Sequence, residues 1–184
     1  PRAKAPWARS IACGWLLAGL LSSLIGLVQY LGASAAWAPW VNVNEVGRAF
    51  ANLRQPNQFA TLTNMALVAL CWVVVQAKPQ PGAAAAGGGW LLRWGPVLAA
   101  LVLAAGNAAS SSRTGFLQLL LVLALAWLWG GWRHAGLRRV LLAAAIGYGV
   151  ALMVLPLLIG LGPFSLGALV RFQDDAQPCT SRTV

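Results

Sequence analysis

Charged side chains are what this 184-residue chain has least of: Asp and Glu occur three times, His once, and charged residues make up 9% of the whole, against about 25% in an ordinary soluble domain. With 59% hydrophobic residues, that scarcity excludes a soluble globular domain and leaves an integral membrane protein. The thirteen Lys and Arg give a net charge of +10, but they stand singly between apolar runs and form no stripe along one face, so no nucleic-acid partner is expected. Neither a nucleophile triad nor a phosphate-binding glycine loop occurs. The chain opens on Pro1, and the apolar run behind its basic start is too long and too tryptophan-flanked for a cleaved signal peptide. A piece of a longer protein is expected.

What the chain has instead is long apolar runs. A hydrocarbon core about 30 Å thick needs roughly 20 apolar residues per helix, and five segments meet or approach that length: 11–31, 59–75, 90–109, 116–132 and 140–161. They predict an all-α integral membrane protein, a multi-span bundle of about five transmembrane helices forming a single region over 1–184, with an outward tail over 162–184. The third run is interrupted near its start by Arg93 and Pro96, and snorkelling of Arg93 toward the headgroups accommodates it. Short loops rich in Lys and Arg stay in the cytoplasm. Arg2, Lys4, Arg9, Lys78, Arg93, Arg133, Arg138 and Arg139, eight of the thirteen, fall on one side, which is therefore assigned as cytoplasmic. Arg48, Arg54, Arg113, Arg171 and Arg182 fall on the other side, with Glu45, Asp174 and Asp175. Those outward arginines run against the bias and need a separate reason. Trp7, Trp37, Trp40, Trp90, Trp94, Trp127, Trp129 and Trp132 lie near span ends, where an amphipathic ring suits the headgroup layer. The connector 78–89, KPQPGAAAAGGG, reads as a flexible linker without chemistry of its own.

Three cysteines carry little redox information. Cys13 and Cys71 fall within spans as small apolar residues, whereas Cys179 lies in the outward tail, either as an unpaired thiol or with a partner beyond Val184. No zinc-type shell is expected, because His134 and the acids fall on opposite sides of the bilayer in this topology. His134 itself, between Arg133 and the Arg138–Arg139 pair, reads as a solvated residue of a basic turn.

Two outward constellations remain. The stretch 47–61, GRAFANLRQPNQFAT, packs Arg48, Asn52, Arg54, Gln55, Asn57 and Gln58 between two apolar runs, and polar groups of that density at a membrane boundary usually handle a polar ligand. Pro56 suits the first turn of a helix beginning near Asn57, whose free amide N–H groups then face outward with Arg48 and Arg54. The second constellation, SSSRT over 110–114, is a hairpin in which Arg113 is flanked by four hydroxyls. Taken singly, each is equally a snorkelling arginine beside a helix cap. Together on one face they favour a phosphate or pyrophosphate site, which the guanidinium fork fits better than an ammonium does.

With LIGLVQYLG over 24–32, these segments resemble the membrane superfamily of O-antigen ligases, O-antigen polymerases and bacterial protein O-oligosaccharyltransferases, and are most similar to the last branch. There the segment equivalent to 52–60 commonly reads N-x-x-Q-P-N-H-x-A. Asn52, Gln55, Pro56, Asn57 and Ala60 match it, and Gln58 stands in place of His. Ser112, Arg113 and Thr114 match the serine-rich turn.

The resemblance implies glycosyl transfer, without a metal or other cofactor, from a polyprenyl diphosphate carrier to an acceptor hydroxyl at the periplasmic face of the bacterial inner membrane. The acceptor is a Ser or Thr of an exported protein in one branch and the lipid A core in the ligases. It implies that Arg48 and Arg113 stabilise the leaving diphosphate, that Asn52, Gln55 and Asn57 contact donor or sugar, and that Arg171 and Arg182 are lesser candidates on the tail. The family's large periplasmic loop, with the histidine thought to act on the acceptor, is not found here, so the catalytic residue is expected outside this chain and residues 1–184 are expected to be inactive alone. The rival from another class is a transporter or flippase for an anionic lipid, which should show broken midplane helices and half-repeats. A purely structural subunit leaves the outward arginines unexplained.

Overall fold

The computed structural model of the protein describes residues 6–77 and 89–162. They form five α-helices: α1 (Pro6–Tyr30), α2 (Pro56–Gln76), α3 (Gly89–Ala109), α4 (Arg113–Leu128) and α5 (Ala135–Leu158), and no strand occurs among the described residues. Helices α1, α2 and α5 are long and apolar enough to cross a membrane, and α4 is a shorter apolar helix. The chain is an all-helical membrane bundle.

Helix boundaries follow local chemistry more closely than they follow the apolar runs. Pro56 starts α2 because its fixed φ suits the first turn and its missing N–H is not needed there. Ser112 caps α4, which therefore begins three residues before the run at 116, and Trp129 followed by left-handed Gly130 ends it short of 132. His134 caps α5 through Nδ1, which accepts from the Leu137 N–H at 3.3 Å, and so starts that helix ahead of 140. The single histidine is thus an exposed helix cap at a basic turn. Pro96 lies inside α3 without ending it.

Small residues let the helices approach closely. Ala49, Ala60, Ala66, Ala100 and Ala144 are fully buried, whereas Leu17, Leu21, Val150, Met153 and Leu157 face outward. Lipid tails are as apolar as leucine, so it is the close van der Waals fit of small side chains around buried Tyr30, Phe59, Leu103 and Leu141, rather than hydrophobic transfer, that holds such a bundle together. A Cβ on Gly19 would meet Ala66, one on Gly106 would meet Ser23, and one on Gly147 would meet Leu101. With Gly26 against Phe59, Gly19 against Leu103, and Ala108 sharing a small cavity with Leu152 as second contacts, α1 and α2 run antiparallel and α1, α3 and α5 parallel. Their C-termini therefore share one end of the bundle with the N-termini of α2 and α4, and that end also carries the long connection 31–55. This loop end holds Arg48, Arg54 and Arg113; Arg9, Arg93, Arg133, Arg138 and Arg139 lie toward the other.

Candidate functional site

The loop end is built on one buried glutamine. Gln29, in the last turn of α1 and fully buried, donates through Nε2 to the carbonyls of Asn42 at 2.9 Å and Ala51 at 2.7 Å. Its Oε1 accepts the Phe50 N–H at 3.1 Å. One side chain thereby satisfies three backbone groups of a loop that makes no regular ladder. Asn52 makes a second clamp: Nδ2 donates to the Trp40 carbonyl at 2.9 Å and Oδ1 accepts the Asn42 N–H at 3.2 Å. Asn44 donates to the Arg48 carbonyl at 2.8 Å, and the Gly47 N–H reaches the Tyr30 carbonyl at 2.9 Å. So fastened, the loop holds Ala51 and Arg54 at φ +51° and +61°. Each such non-glycine residue costs on the order of 1–3 kcal/mol and persists only where its surroundings over-determine it.

The loop delivers the chain to α2 with Gln55 extended and its side chain not used as a cap, so no Gln55 cap takes up the first N–H groups of the helix. Asn57, one residue into α2, accepts through Oδ1 from the Ser112 hydroxyl at 2.7 Å. The same Ser112 oxygen accepts the Gly115 N–H at 3.1 Å and so caps α4. Ser110 closes the hairpin by donating to the Asn107 carbonyl at 2.6 Å and accepting the Ser112 N–H at 3.2 Å. One bond between residues 55 apart thus sets two helix N-termini side by side, with the two outward sequence segments joined through Asn57 and Ser112. Two positive helix ends facing one surface favour an anion there.

From this surface a polar seam descends between α2 and α4. Thr61 donates to the Asn57 carbonyl at 2.9 Å and accepts from Gln118 Nε2 at 3.1 Å. Below it, Asn64 Nδ2 reaches the carbonyls of Ala60 at 2.9 Å and Gly115 at 3.1 Å, and Asn107 of α3 donates to the Gly115 carbonyl at 3.3 Å. Gly115 permits this approach, since a Cβ there would run into Asn107 Oδ1 and Ala60.

The expected site residues are thus distributed unevenly. Asn57 and the turn bearing Arg113 are brought together, and Arg113 is half-buried there. Asn52 is spent on the loop, Gln55 is exposed beside the α2 terminus, and Arg48 is half-exposed with its guanidinium 3.8 Å from Glu45. An exposed pair of that length contributes little to stability and leaves the guanidinium open to exchange for another anion. Arg171, Arg182, Asp174, Asp175, Cys179 and residues 78–88 of the expected linker 78–89 lie outside the described residues, and Gly89 of that linker instead begins α3. No three His, Cys, Asp or Glu side chains gather into a metal-binding group among the described residues. Gln29, Thr61, Asn64, Asn107 and Gln118 were not singled out from the sequence as site residues, although each is a polar side chain within or bordering an apolar run, which is itself a signal of function in a membrane helix.

The segment from the last turn of the loop through most of α2 has a known counterpart. Residues 49–73 match the family model of protein glycosylation ligases. The matched segment contains Asn52, Gln55 and Asn57 and the α2 side of the seam, Thr61 and Asn64. No curated protein and no solved structure matches the chain. The relationship to the protein glycosylation ligases, which are transferases acting on a glycan and an acceptor protein, therefore rests on this one segment.

Proposed function

We propose that this chain forms the donor-binding part of an oligosaccharyltransferase that moves a glycan from a polyprenyl diphosphate carrier to a Ser or Thr hydroxyl of an exported protein, at the periplasmic face of the bacterial inner membrane. One observation carries the proposal: the ligase-like segment is the one whose Asn57 locks the α2 terminus to the α4 terminus beside Arg113. In the reaction, the acceptor oxygen attacks the anomeric carbon while the bond from that carbon to the diphosphate oxygen breaks. The hydroxyl proton passes to a base, and the diphosphate leaves with the bonding pair. Charge grows on the leaving group, so donors fixed beforehand stabilise the transition state more than the ground state. Arg48 and Arg113 are assigned that role, the paired helix termini reinforce it, and Gln55 is placed to orient the sugar. His134, at the opposite end, is not assigned to the acceptor. An O-antigen ligase or polymerase would share this donor chemistry and differ in acceptor; the ligase-like match to protein glycosylation favours a protein hydroxyl.

The test is glycan transfer in membranes by the full-length protein, of which this chain is proposed to supply the donor-binding part, at equal abundance. Arg113→Lys keeps the charge but loses the planar fork, and transfer is expected to fall by roughly one to two orders of magnitude, with Arg113→Ala lower still. Wild-type transfer in both variants would refute the assignment.

A further inference from the structure

Three serines make the turn between α3 and α4, and the middle one has no evident use. Ser110 and Ser112 spend their hydroxyls within the hairpin and on Asn57. Ser111 is as buried as they are, at 2% exposure, yet its hydroxyl has no hydrogen-bond partner among the described residues. It lines a cavity of about 10 Å³, the space open to the centre of a water molecule, between the turn, α1 and α5. Tyr30 at the end of α1 lines the same cavity; it is 1% exposed, and its hydroxyl also lacks a partner among the described residues. The remaining walls include Leu152 and Pro156 of α5. We infer that this cavity binds one water molecule, held by the hydroxyls of Tyr30 and Ser111 and by the Leu152 carbonyl, which fastens the serine turn to α1 and α5.

The third ligand follows from the proline. Inside a helix each carbonyl accepts the N–H four residues on, and Pro156 has none to give, so the Leu152 carbonyl loses its helical donor. That carbonyl points toward the C-terminus of α5, which is the loop end, on the face where Leu152 and Pro156 line the cavity. In a membrane helix a group freed in this way must be satisfied by a neighbouring side chain or an ordered water. Three buried polar groups without protein partners thus surround a space that takes a single water, and a buried water typically makes about three hydrogen bonds. The donors and acceptors balance: the water donates one proton to the Leu152 carbonyl and the other to one hydroxyl, and accepts from the second hydroxyl. Left dry, the cavity would keep all three groups desolvated and unpaired. The hydroxyls of Ser110 and Ser112 bond within the hairpin or to α2, so the water supplies the turn with ties to the other two helices. This holds whatever ligand the loop end takes.

Two measurements on the full-length protein test the site. A density map detailed enough to show ordered waters should hold one peak within about 3 Å of both hydroxyls and of the Leu152 carbonyl; a cavity without a peak overturns the inference. In Pro156→Ala the helix regains an N–H for that carbonyl, and the peak should weaken or vanish, whereas an undiminished peak would overturn the three-way site. The second measurement is the sign of a change in thermal midpoint in detergent. Tyr30→Phe and Ser111→Ala each remove a hydroxyl and little else. In a dry cavity they remove an unpaired buried group and leave the midpoint unchanged or raise it. With a bound water each breaks a hydrogen bond, and each is expected to lower the midpoint by about 2–4 °C. Because both act on one water, the double variant should fall by less than the two shifts added. Midpoints unchanged or raised in the single variants, or shifts that simply add, would overturn the shared water.

Discussion

Replacing Gln29 by leucine should open the loop end while leaving the bundle folded. Leucine is of similar size and keeps the apolar contacts at the end of α1, but it strands the Phe50 N–H and the carbonyls of Asn42 and Ala51. At about 1 kcal/mol net for each hydrogen bond, the closed loop loses about 3 kcal/mol. That corresponds to a rise on the order of a hundredfold in the open population. The strained conformations at Ala51 and Arg54 push in the same direction, since they relax once the loop is free. Water reaching the stranded groups in the open state is what confines the damage to the loop: the α-helices keep their own hydrogen bonds and their small-residue contacts. Hydrogen–deuterium exchange of the peptide covering residues 42–52 reads this directly, and α2 and α5 serve as internal references. Expected are a large loss of protection in that peptide, unchanged exchange in the references, and weaker binding of a polyprenyl diphosphate donor. A folded Gln29→Leu protein with wild-type protection over 42–52 would show that the glutamine does not hold the loop.

Four further outcomes are expected. In a double-mutant cycle, Asn57→Ala and Ser112→Ala should couple by about 1 kcal/mol in unfolding free energy, with Ser112→Ala alone costing about 1 kcal/mol more than Asn57→Ala for the lost cap on α4; additive effects would mean that the two helix ends are not joined through this bond. Gly115→Ala forces its Cβ against Asn107 and Ala60 and should destabilise the protein by about 1–3 kcal/mol, measured by thermal unfolding in detergent, and an unchanged midpoint would contradict the close α2–α4 approach. His134→Ala should cost about 1 kcal/mol through loss of the α5 cap while leaving donor affinity unchanged, so a selective loss of binding would move His134 into the site. With Cys13, Cys71 and Cys179 replaced by alanine, a cysteine introduced at exposed Val43 should be labelled from the periplasm in intact cells and one at Arg138 should not; the reverse pattern inverts the topology and removes the site from the periplasmic face.

How much of this was legible without coordinates differs from residue to residue. The apolar runs indicate a helical membrane bundle because a bilayer allows few alternatives: a backbone crossing it must satisfy its own hydrogen bonds, and length and hydropathy are properties of the residues in order. Pro56 marks the start of α2 for a similarly local reason, its ring fixing φ where a first helical turn needs it. The polar stretch 47–61 also stood out by composition, and residues 49–73 within it and α2 are those that match the ligase family. Residue type did not tell the roles within that stretch apart. Asn52 and Asn57 have the same amide, yet one closes the loop on the Trp40 carbonyl and the other ties α2 to Ser112. Likewise Gln29 gains its importance from backbone groups of Asn42, Phe50 and Ala51. Every residue except proline carries such a donor and acceptor, so nothing in those partners' side chains announces the bond. Which of them a buried amide meets depends on how α1, α2 and α4 stack, and that is set by where glycines such as Gly19 and Gly115 let helices approach. The order of residues thus determined the helices, the membrane and the polar segment, whereas their packing alone decided which polar groups hold the loop end together and which are left facing a ligand.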